Sequence, residues 1–262
     1  MNIFTHFIDV YQRYADEEAI LLYQFGKVGS TALEASLPAA IHQHSLYGGS
    51  PCHVHIEQRR AGVKFWVGAL GDALKRMALK RRKTMKIISI VREPLARNQS
   101  MFFQDLGHWL YKYVGLDHHD TREAGFDYLF KVYEEAFDHT YVLDWYDREF
   151  KRFTGVDVYS EGFDQQTGYQ IIKRPGMEIL LLKYEQLADM EGVISEFCGR
   201  KVVLDTANVG TDKWYGDIYR RFKRDYRTSH SKLECLYKSR YMKAFYSPKE
   251  ISGFCEKYLP GR

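Results

Sequence analysis

The chain is 262 residues long, 45% hydrophobic and 27% charged, which predicts one folded domain over residues 1–262 with a single substantial core. Its formal net charge of +4 suits anionic ligands but is far below the dense positive charge of typical nucleic-acid-binding proteins, so we expect no nucleic-acid partner. The four cysteines are widely spaced without a C-x-x-C pair, which excludes the usual zinc and disulfide patterns and favours a reducing cytoplasm.

The first predicted elements are a helix, a strand and a second helix. Residues 2–15 carry apolar side chains at helical spacing and predict an amphipathic helix, and the charges in this part of the chain exclude a signal-peptide core. Residues 19–25 predict a buried parallel strand, and a helix is expected from Ser30 to about Pro38. No later apolar run is long enough to cross a bilayer, so we expect no integral membrane association.

The same alternation continues downstream. Residues 39–47 predict a second strand, residues 66–83 a helix and residues 85–91 a strand buried on both faces. Pro94 marks the first turn of a helix that runs to about Leu106. This order of elements predicts an α/β fold of three layers, with a mainly parallel central sheet flanked by helices.

The C-terminal half is predicted to hold further helices and one hairpin. Amphipathic patterns predict helices over residues 121–137 and 144–154. Residues 168–173 and 178–183 flank an Arg-Pro-Gly turn and are expected to pair as a hairpin. Residues 247–250 read Ser-Pro-Lys-Glu, a capping box that predicts the start of a last helix.

Residues 23–31, the glycine loop, read Tyr-Gln-Phe-Gly-Lys-Val-Gly-Ser-Thr. They follow a predicted strand and open a predicted helix, so their backbone N–H groups face a point where an anion can bind. Gly26 and Gly29 allow a tight turn, and Lys27 supplies a charge. The loop differs from the G-x-x-x-x-G-K-[S/T] motif, and no predicted strand ends in a magnesium-binding aspartate, which disfavours a metal-dependent kinase.

Residues 91–100, the arginine segment, form the second candidate anion site. Arg92 ends a predicted buried strand, at the edge where open α/β sheets bind ligands, and Ser100 lies about two helical turns later. A guanidinium and a hydroxyl placed in this way can hold a phosphate. The alternative is an ordinary surface interaction of Arg92 with Glu93 or with a helix terminus. Two anion sites together suit a ligand with phosphates at both ends.

The glycine loop and the arginine segment together resemble the signature motifs of sulfotransferases that use 3′-phosphoadenosine 5′-phosphosulfate. The glycine loop resembles their 5′-phosphosulfate loop, and Arg92 and Ser100 occupy the positions of their 3′-phosphate-binding arginine and serine. The resemblance is closer still to a bacterial capsular polysaccharide synthesis family, a sulfotransferase-like group, and extends from about Ala19 to the C terminus. The segments that carry it are residues 23–33, 42–46, 88–103, 145–159, 179–187 and 211–215.

One segment departs from that family's pattern. Asp212 and Gly216 stand where the family usually has asparagine and serine, whereas Lys213 stays in register. The roles of Asp212 and Gly216 are therefore left open.

The resemblance implies a P-loop-like sulfotransferase fold and a sulfotransferase activity, which would take place in the cytoplasm that the cysteine pattern favours. Its reaction would move a sulfuryl group from 3′-phosphoadenosine 5′-phosphosulfate to a hydroxyl of a saccharide or small metabolite, with adenosine 3′,5′-bisphosphate as product. Lys27 would neutralise charge on the bridging oxygen, so no metal is expected. The residues that the resemblance assigns to cofactor binding are Phe25, Gly26, Lys27, Val28, Gly29, Ser30, Thr31, Arg92, Ser100 and Lys213.

The acceptor hydroxyl must lose a proton, and histidine is the side chain whose pKa lies closest to the working pH. His42 and His44 form one pair, and His53 and His55 form another; in each pair both imidazoles lie on one face of an extended segment. We favour His44 as the base, because it ends the second predicted strand and matches the His-x-His of the resembled family. His55 is the reserve candidate, since some sulfotransferases carry a His-x-His shortly before the 3′-phosphate motif.

Two other functions stay open at this point: a nucleotide or sugar kinase on the related phosphate-loop scaffold, and a non-catalytic nucleotide-binding module of capsule assembly. The sequence also leaves the acceptor and the oligomeric state open, although residues 107–120 and 161–170 are candidate specificity segments with a polar surface. Trp214 or Tyr215 is a candidate for stacking on adenine, with a core position as the alternative.

Overall fold

The structure is a computed structural model that describes residues 3–48, 63–114, 126–204 and 213–259. Its sheet has the strand order β2-β1-β3-β5-β4. Every neighbouring pair is parallel except the last, in which β4 and β5 are antiparallel. The predicted α/β fold with a mainly parallel sheet is therefore confirmed. The strands are β1 (Leu21–Tyr23), β2 (Ile41–Gln43), β3 (Met85–Val91), β4 (Tyr169–Arg174) and β5 (Met177–Lys183).

Helices make up most of the remaining described residues. They are α1 (Ile3–Ala15), α2 (Ser30–Ser36), α3 (Val63–Lys80), α4 (Pro94–Gln104), α5 (Leu106–Val114), α6 (Phe126–Ala136), α7 (Tyr141–Trp145), α8 (Arg152–Thr154), α9 (Glu191–Cys198), α10 (Gly216–Asp225), α11 (His230–Tyr237), α12 (Arg240–Phe245) and α13 (Pro248–Tyr258). A π-helix (Tyr146–Lys151) joins α7 to α8, and 3₁₀ turns cover Val158–Ser160 and Tyr184–Asp189. Within the described ranges, no helix combines the length and apolarity needed to span a membrane.

The first two predicted strands are longer in the sequence pattern than in the structure. Only three residues of each pair in parallel register, from Leu21 opposite Ile41 to Tyr23 opposite Gln43. Phe25 is fully buried without belonging to the ladder. An apolar run therefore indicated burial correctly, but burial alone does not mark where backbone pairing stops.

The predicted hairpin between β4 and β5 is confirmed. The strands pair from Tyr169 opposite Leu182 to Arg174 opposite Met177. Gly176 in the turn has φ +71°, and a Cβ at this position would lie 2.7 Å from the Lys83 carbonyl oxygen. The turn therefore requires glycine both for its backbone conformation and for the space that the approaching chain leaves.

The sequence predicts that residues 107–120 form a polar surface that contributes to acceptor specificity, but the first residues of this segment are half-buried or buried. Its first part belongs to α5, in which Trp109 and Leu110 are buried. The Trp109 ring packs against Phe137, with ring centroids 5.6 Å apart. Residues 115–120 lie outside the described residues. Trp109 and Leu110 therefore belong to the core and not to a polar surface.

Most aromatic residues that follow Trp214 in the sequence belong to the core. The Tyr215 ring is buried and lies 5.8 Å from the Phe103 ring, whereas Trp214 is 45% exposed. Of the two candidates for stacking on adenine, Tyr215 is thus a core residue. Trp214 lies at the surface beside Lys213.

Candidate functional site

The glycine loop connects the carboxyl end of β1 to the start of α2. Gly29 caps α2 with φ +80°, and a Cβ there would lie 2.8 Å from the Tyr184 ring. Lys27 has φ 73° and is the one non-glycine residue with a positive φ among the described residues. A lysine in this conformation costs about 1–2 kcal/mol, and such strain is typical of functional sites.

Two arginines of the arginine segment donate hydrogen bonds to the glycine loop. Arg92 Nη1 donates to the carbonyl oxygen of Lys27 at 2.5 Å. Arg97 Nε donates to the carbonyl oxygen of Gly26 at 3.0 Å. The structure therefore brings the two predicted anion sites into direct contact, at the carboxyl ends of neighbouring strands β1 and β3.

The Lys27 ammonium lies within a cluster of positive charge. Burial is the main cause that lowers the pKa of Lys27 from 10.5 to about 8. The positive charges of Lys213, Arg92 and Arg97 lower that pKa further. The negative charge of Asp105 acts in the opposite direction. The positive charges around this half-buried amine repel one another, and a bound anion would reduce that repulsion.

Arg92 is held by aromatic neighbours, and one of its donors lacks a partner. Its guanidinium lies 4.1 Å from the centroid of the Tyr184 ring. The Tyr241 hydroxyl accepts from the Arg92 backbone N–H and lies 2.9 Å from the Arg92 carbonyl oxygen. Arg92 Nε is buried and has no hydrogen-bond partner in the described part of the chain. The side chain is therefore fixed in place with donor capacity to spare.

The surroundings of Arg92 extend to Ser100 and to two lysines that sequence reasoning missed. Burial raises the pKa of Tyr219, while the charge of Arg92 and hydrogen bonding by the Ser100 side chain act in the opposite direction, which places both close to this hydroxyl. Burial, followed by the charges of Arg92 and Lys257, lowers the pKa of Lys223. Lys223 and Lys257 lie far from the motif in sequence, so only the packing of α10 and α13 could have identified them.

The alternative that Arg92 forms an ion pair with Glu93 is wrong. The Glu93 carboxylate instead caps α4 and accepts from the backbone N–H groups of Leu95 and Ala96 at 2.6 and 2.7 Å. It also accepts from the hydroxyls of Tyr237 and Tyr258 at 2.6 and 3.3 Å. Glu93 therefore ties the start of α4 to the C-terminal helices and leaves Arg92 available for another anion.

His44 lies directly after β2, beside the glycine loop. Its Nδ1 is 2.8 Å from the carbonyl oxygen of Gln24, and because a carbonyl only accepts, Nδ1 carries the proton. In the neutral ring the lone pair therefore resides on Nε2. The His42 ring packs edge-on against His44 with centroids 4.2 Å apart, and burial lowers the pKa of His42 to about 3. His55, the reserve candidate, lies outside the described residues.

A buried carboxylate, Glu149 in the π-helix, organises the chain after His44. It accepts from the Tyr23 hydroxyl, the Ser45 hydroxyl and the Leu46 backbone N–H at 2.8, 2.8 and 2.9 Å. Trp145, four residues earlier, donates from Nε1 to the His44 carbonyl oxygen at 3.0 Å. The signal available in the sequence was an acid on the same helix face as a tryptophan.

Part of the chain matches a known protein family. A family model described as putative capsular polysaccharide synthesis protein matches residues 125–247. That stretch includes β4, β5 and Lys213 but contains neither the glycine loop nor the arginine segment. No curated protein and no solved structure shows a significant match to the chain. The C-terminal half is thus similar to proteins of capsular polysaccharide synthesis, while the interpretation of the anion site depends on its geometry.

Proposed function

We propose that the protein is a sulfotransferase that moves a sulfuryl group from 3′-phosphoadenosine 5′-phosphosulfate to a hydroxyl of a saccharide or small metabolite. The observation that carries the proposal is the clustering of Lys27, Arg92 and Lys213 around one glycine loop at the carboxyl edge of a parallel sheet. Similarity to a family of capsular polysaccharide synthesis supports a saccharide acceptor.

The residues present suit the two ends of that donor. The glycine loop and Lys27 would hold the 5′ phosphosulfate, and Arg92 with Ser100 would hold the 3′-phosphate. The unpartnered Nε of Arg92 supports this assignment, because a buried donor without a partner is costly and an anion would satisfy it. Lys223 adds positive charge near Arg92, and Lys257 adds positive charge near Lys223.

The proposed chemistry uses Lys27 and His44 in separate roles. An acceptor oxygen forms a bond to sulfur while the bond from sulfur to the bridging oxygen breaks, and the electron pair stays on the phosphate of the leaving bisphosphate. Lys27 stabilises that developing charge, since a preorganised cation lowers the barrier of such transfers. His44 Nε2 takes the acceptor proton, because Nδ1 already donates to Gln24.

Adenosine 3′,5′-bisphosphate is expected to raise the melting temperature of the wild-type protein more than AMP does, or ATP with magnesium. A ligand present at about 100 times its Kd adds about 2.7 kcal/mol of stability, which corresponds to a rise of about 5–10 °C. Differential scanning fluorimetry with each nucleotide measures the shifts. Lys27→Ala and Arg92→Ala are each expected to remove most of the shift with the bisphosphate.

Equal shifts with AMP, or shifts that both substitutions leave unchanged, would contradict the proposed function. Selective stabilisation by ATP with magnesium, accompanied by ATP turnover, would favour the kinase instead. Binding of the bisphosphate without transfer to any hydroxyl acceptor would favour the non-catalytic module.

The affinity for adenosine 3′,5′-bisphosphate is expected to fall as the pH rises above about 8. Lys27 in the free protein has a pKa of about 8, and a bound anion raises it, so binding takes up a proton just above this pH. Each further pH unit is then expected to cost up to about tenfold in Kd, until the pH passes the raised pKa of the complex. Isothermal titration calorimetry between about pH 7 and 10, in buffers of different ionisation enthalpy, measures both the affinity and the proton uptake.

Lys27→Met is the control for this pH dependence, because it cannot titrate at residue 27. Its affinity is expected to be weaker at neutral pH and to lack the proton uptake. Folding of the ligand-free protein depends on pH in the opposite direction to binding. Between about pH 8 and 10.5 the unfolded chain binds more protons at Lys27 than the folded protein does, so the contribution of this residue to folding stability rises with pH. Identical pH profiles of binding in the two proteins would exclude Lys27 from the anion site.

A further inference from the structure

Arg97 is a fully buried arginine to which the proposed chemistry assigns no role. It lies in the first turns of α4 and is 1% exposed. Burial lowers its pKa to about 10, so the guanidinium still carries its charge at neutral pH. Burying a charge lowers the stability of the fold unless neighbouring groups compensate it, so the presence of this arginine in the core requires a physical explanation.

The partners of Arg97 are a backbone carbonyl, an amide and aromatic rings. Besides the bond from Nε to Gly26, Nη1 donates to Asn98 Oδ1 at 3.1 Å. The guanidinium lies 5.1 Å from the centroid of the Tyr141 ring and 5.9 Å from that of Phe25. Nη2 is buried without a hydrogen-bond partner in the described ranges. No carboxylate of the described residues pairs with this charge, so Arg97 does not serve as half of a salt bridge.

The two arginines hold the two peptide groups on either side of the Lys27 Cα atom. The Gly26 carbonyl belongs to the peptide before Lys27, and its orientation determines φ. The Lys27 carbonyl belongs to the peptide after it, and its orientation determines ψ. Backbone conformations of this kind persist only where the surrounding structure holds them, because they are strained. Of the two arginines, Arg97 is the one that is entirely inside the protein.

We propose that Arg97 is a positioning residue that holds the glycine loop in the conformation presenting Lys27 to the donor. The inference deepens the proposed function and rests on it. Arg92 has a spare donor and lies beside other cations, which suits a ligand contact, whereas Arg97 is fully buried and donates to the backbone of the loop. Its fixed charge also disfavours a second buried cation nearby, so an anion at Lys27 stabilises both residues.

Arg97→Met tests the proposal, because it keeps the length of the side chain while removing the charge and the hydrogen bonds. We expect kcat to fall about 10²-fold and the Kd for adenosine 3′,5′-bisphosphate to rise by less than it does in Lys27→Ala, since Lys27, Arg92 and Ser100 all remain. Backbone amides of residues 26–31 are expected to exchange with deuterium at least about tenfold faster. Arg97→Lys, which keeps a charge and one donor, is expected to recover part of both losses.

Arg82→Met is the matched control, since Arg82 is another buried arginine that donates to backbone carbonyls, those of Tyr14 and Ala19 at 2.8 and 2.7 Å. It is expected to lower the melting temperature without changing loop exchange or kcat. Wild-type loop exchange in Arg97→Met, or changes no larger than those of Arg82→Met, would overturn the positioning role. Absence of any transfer by the wild type would refute the proposed function, while loop exchange would still decide the role of Arg97.

Discussion

Lys27→Gly is expected to abolish sulfuryl transfer and at the same time to stabilise the fold. Loss of the ammonium removes the cation proposed to stabilise the leaving oxygen, which we expect to lower kcat about 10³-fold. The stability gain has two sources. Glycine adopts φ 73° without the penalty that lysine incurs there, and the substitution removes a half-buried charge from beside Arg92 and Lys213.

The net gain is expected to be about 1 kcal/mol, which urea denaturation measures as a higher midpoint at an unchanged slope. Lys27→Met is the matched control: it also lacks the amine but keeps the cost of a positive φ. We therefore expect equal losses of transfer in the two variants and a larger gain in stability with glycine, because both variants remove the charge but only glycine also removes the cost of the positive φ. If Lys27→Gly still transferred sulfuryl groups, Lys27 would have no role in the reaction. A glycine variant less stable than the methionine variant would show that the loop is not strained.

Glu93→Ala is expected to be the most destabilising single substitution near the site. Glu93 is 2% exposed and its carboxylate accepts four hydrogen bonds, two from the first turn of α4 and two from buried tyrosine hydroxyls. Alanine leaves the helix without its cap and leaves the hydroxyls of Tyr237 and Tyr258 without their acceptor. We expect a loss of about 3–5 kcal/mol in the free energy of unfolding.

Chemical denaturation of Glu93→Ala, Tyr237→Phe and the double variant measures this loss and its coupling. We expect the sum of the two single losses in unfolding free energy to exceed the loss in the double variant, because Tyr237 and Glu93 share one hydrogen bond. The melting temperature of Glu93→Ala is expected to fall by about 10 °C. Additive losses, or a drop of less than about 1 kcal/mol, would show that the carboxylate does not hold α4 to the C-terminal helices.

Local signals predicted several elements well. The strand predicted over residues 85–91 is confirmed to the residue, because its apolar run is interrupted on both sides by polar or turn-forming residues. The capping box at Ser247 is also confirmed: its side chain accepts from the Glu250 backbone N–H, and the Glu250 carboxylate accepts from the Ser247 N–H. In both cases the interacting groups are close in sequence, so the pattern contains all the information required.

The site shows where local signals stop. The sequence identified the glycine loop and Arg92 as candidate anion-binding groups, and their meeting at one sheet edge follows from parallel strands. Glu250 makes one interaction that the sequence predicts and one that it does not. Its capping contact with Ser247 is local, whereas its ion pair with the fully buried Lys183, at 2.9 Å, joins residues that are distant in sequence.

By itself, then, the sequence determined the order of the elements, the turn at Gly176, the capping box at Ser247 and the residue types of a phosphate-binding loop. Only the tertiary structure decided that Arg97 would reach Gly26, 71 residues away, that Glu93 would bond to tyrosines of the last helices, and that Lys27 would lie among other cations. The physical reason is that backbone conformation and capping depend on neighbours in the chain, whereas burial and charge proximity depend on which distant elements pack together.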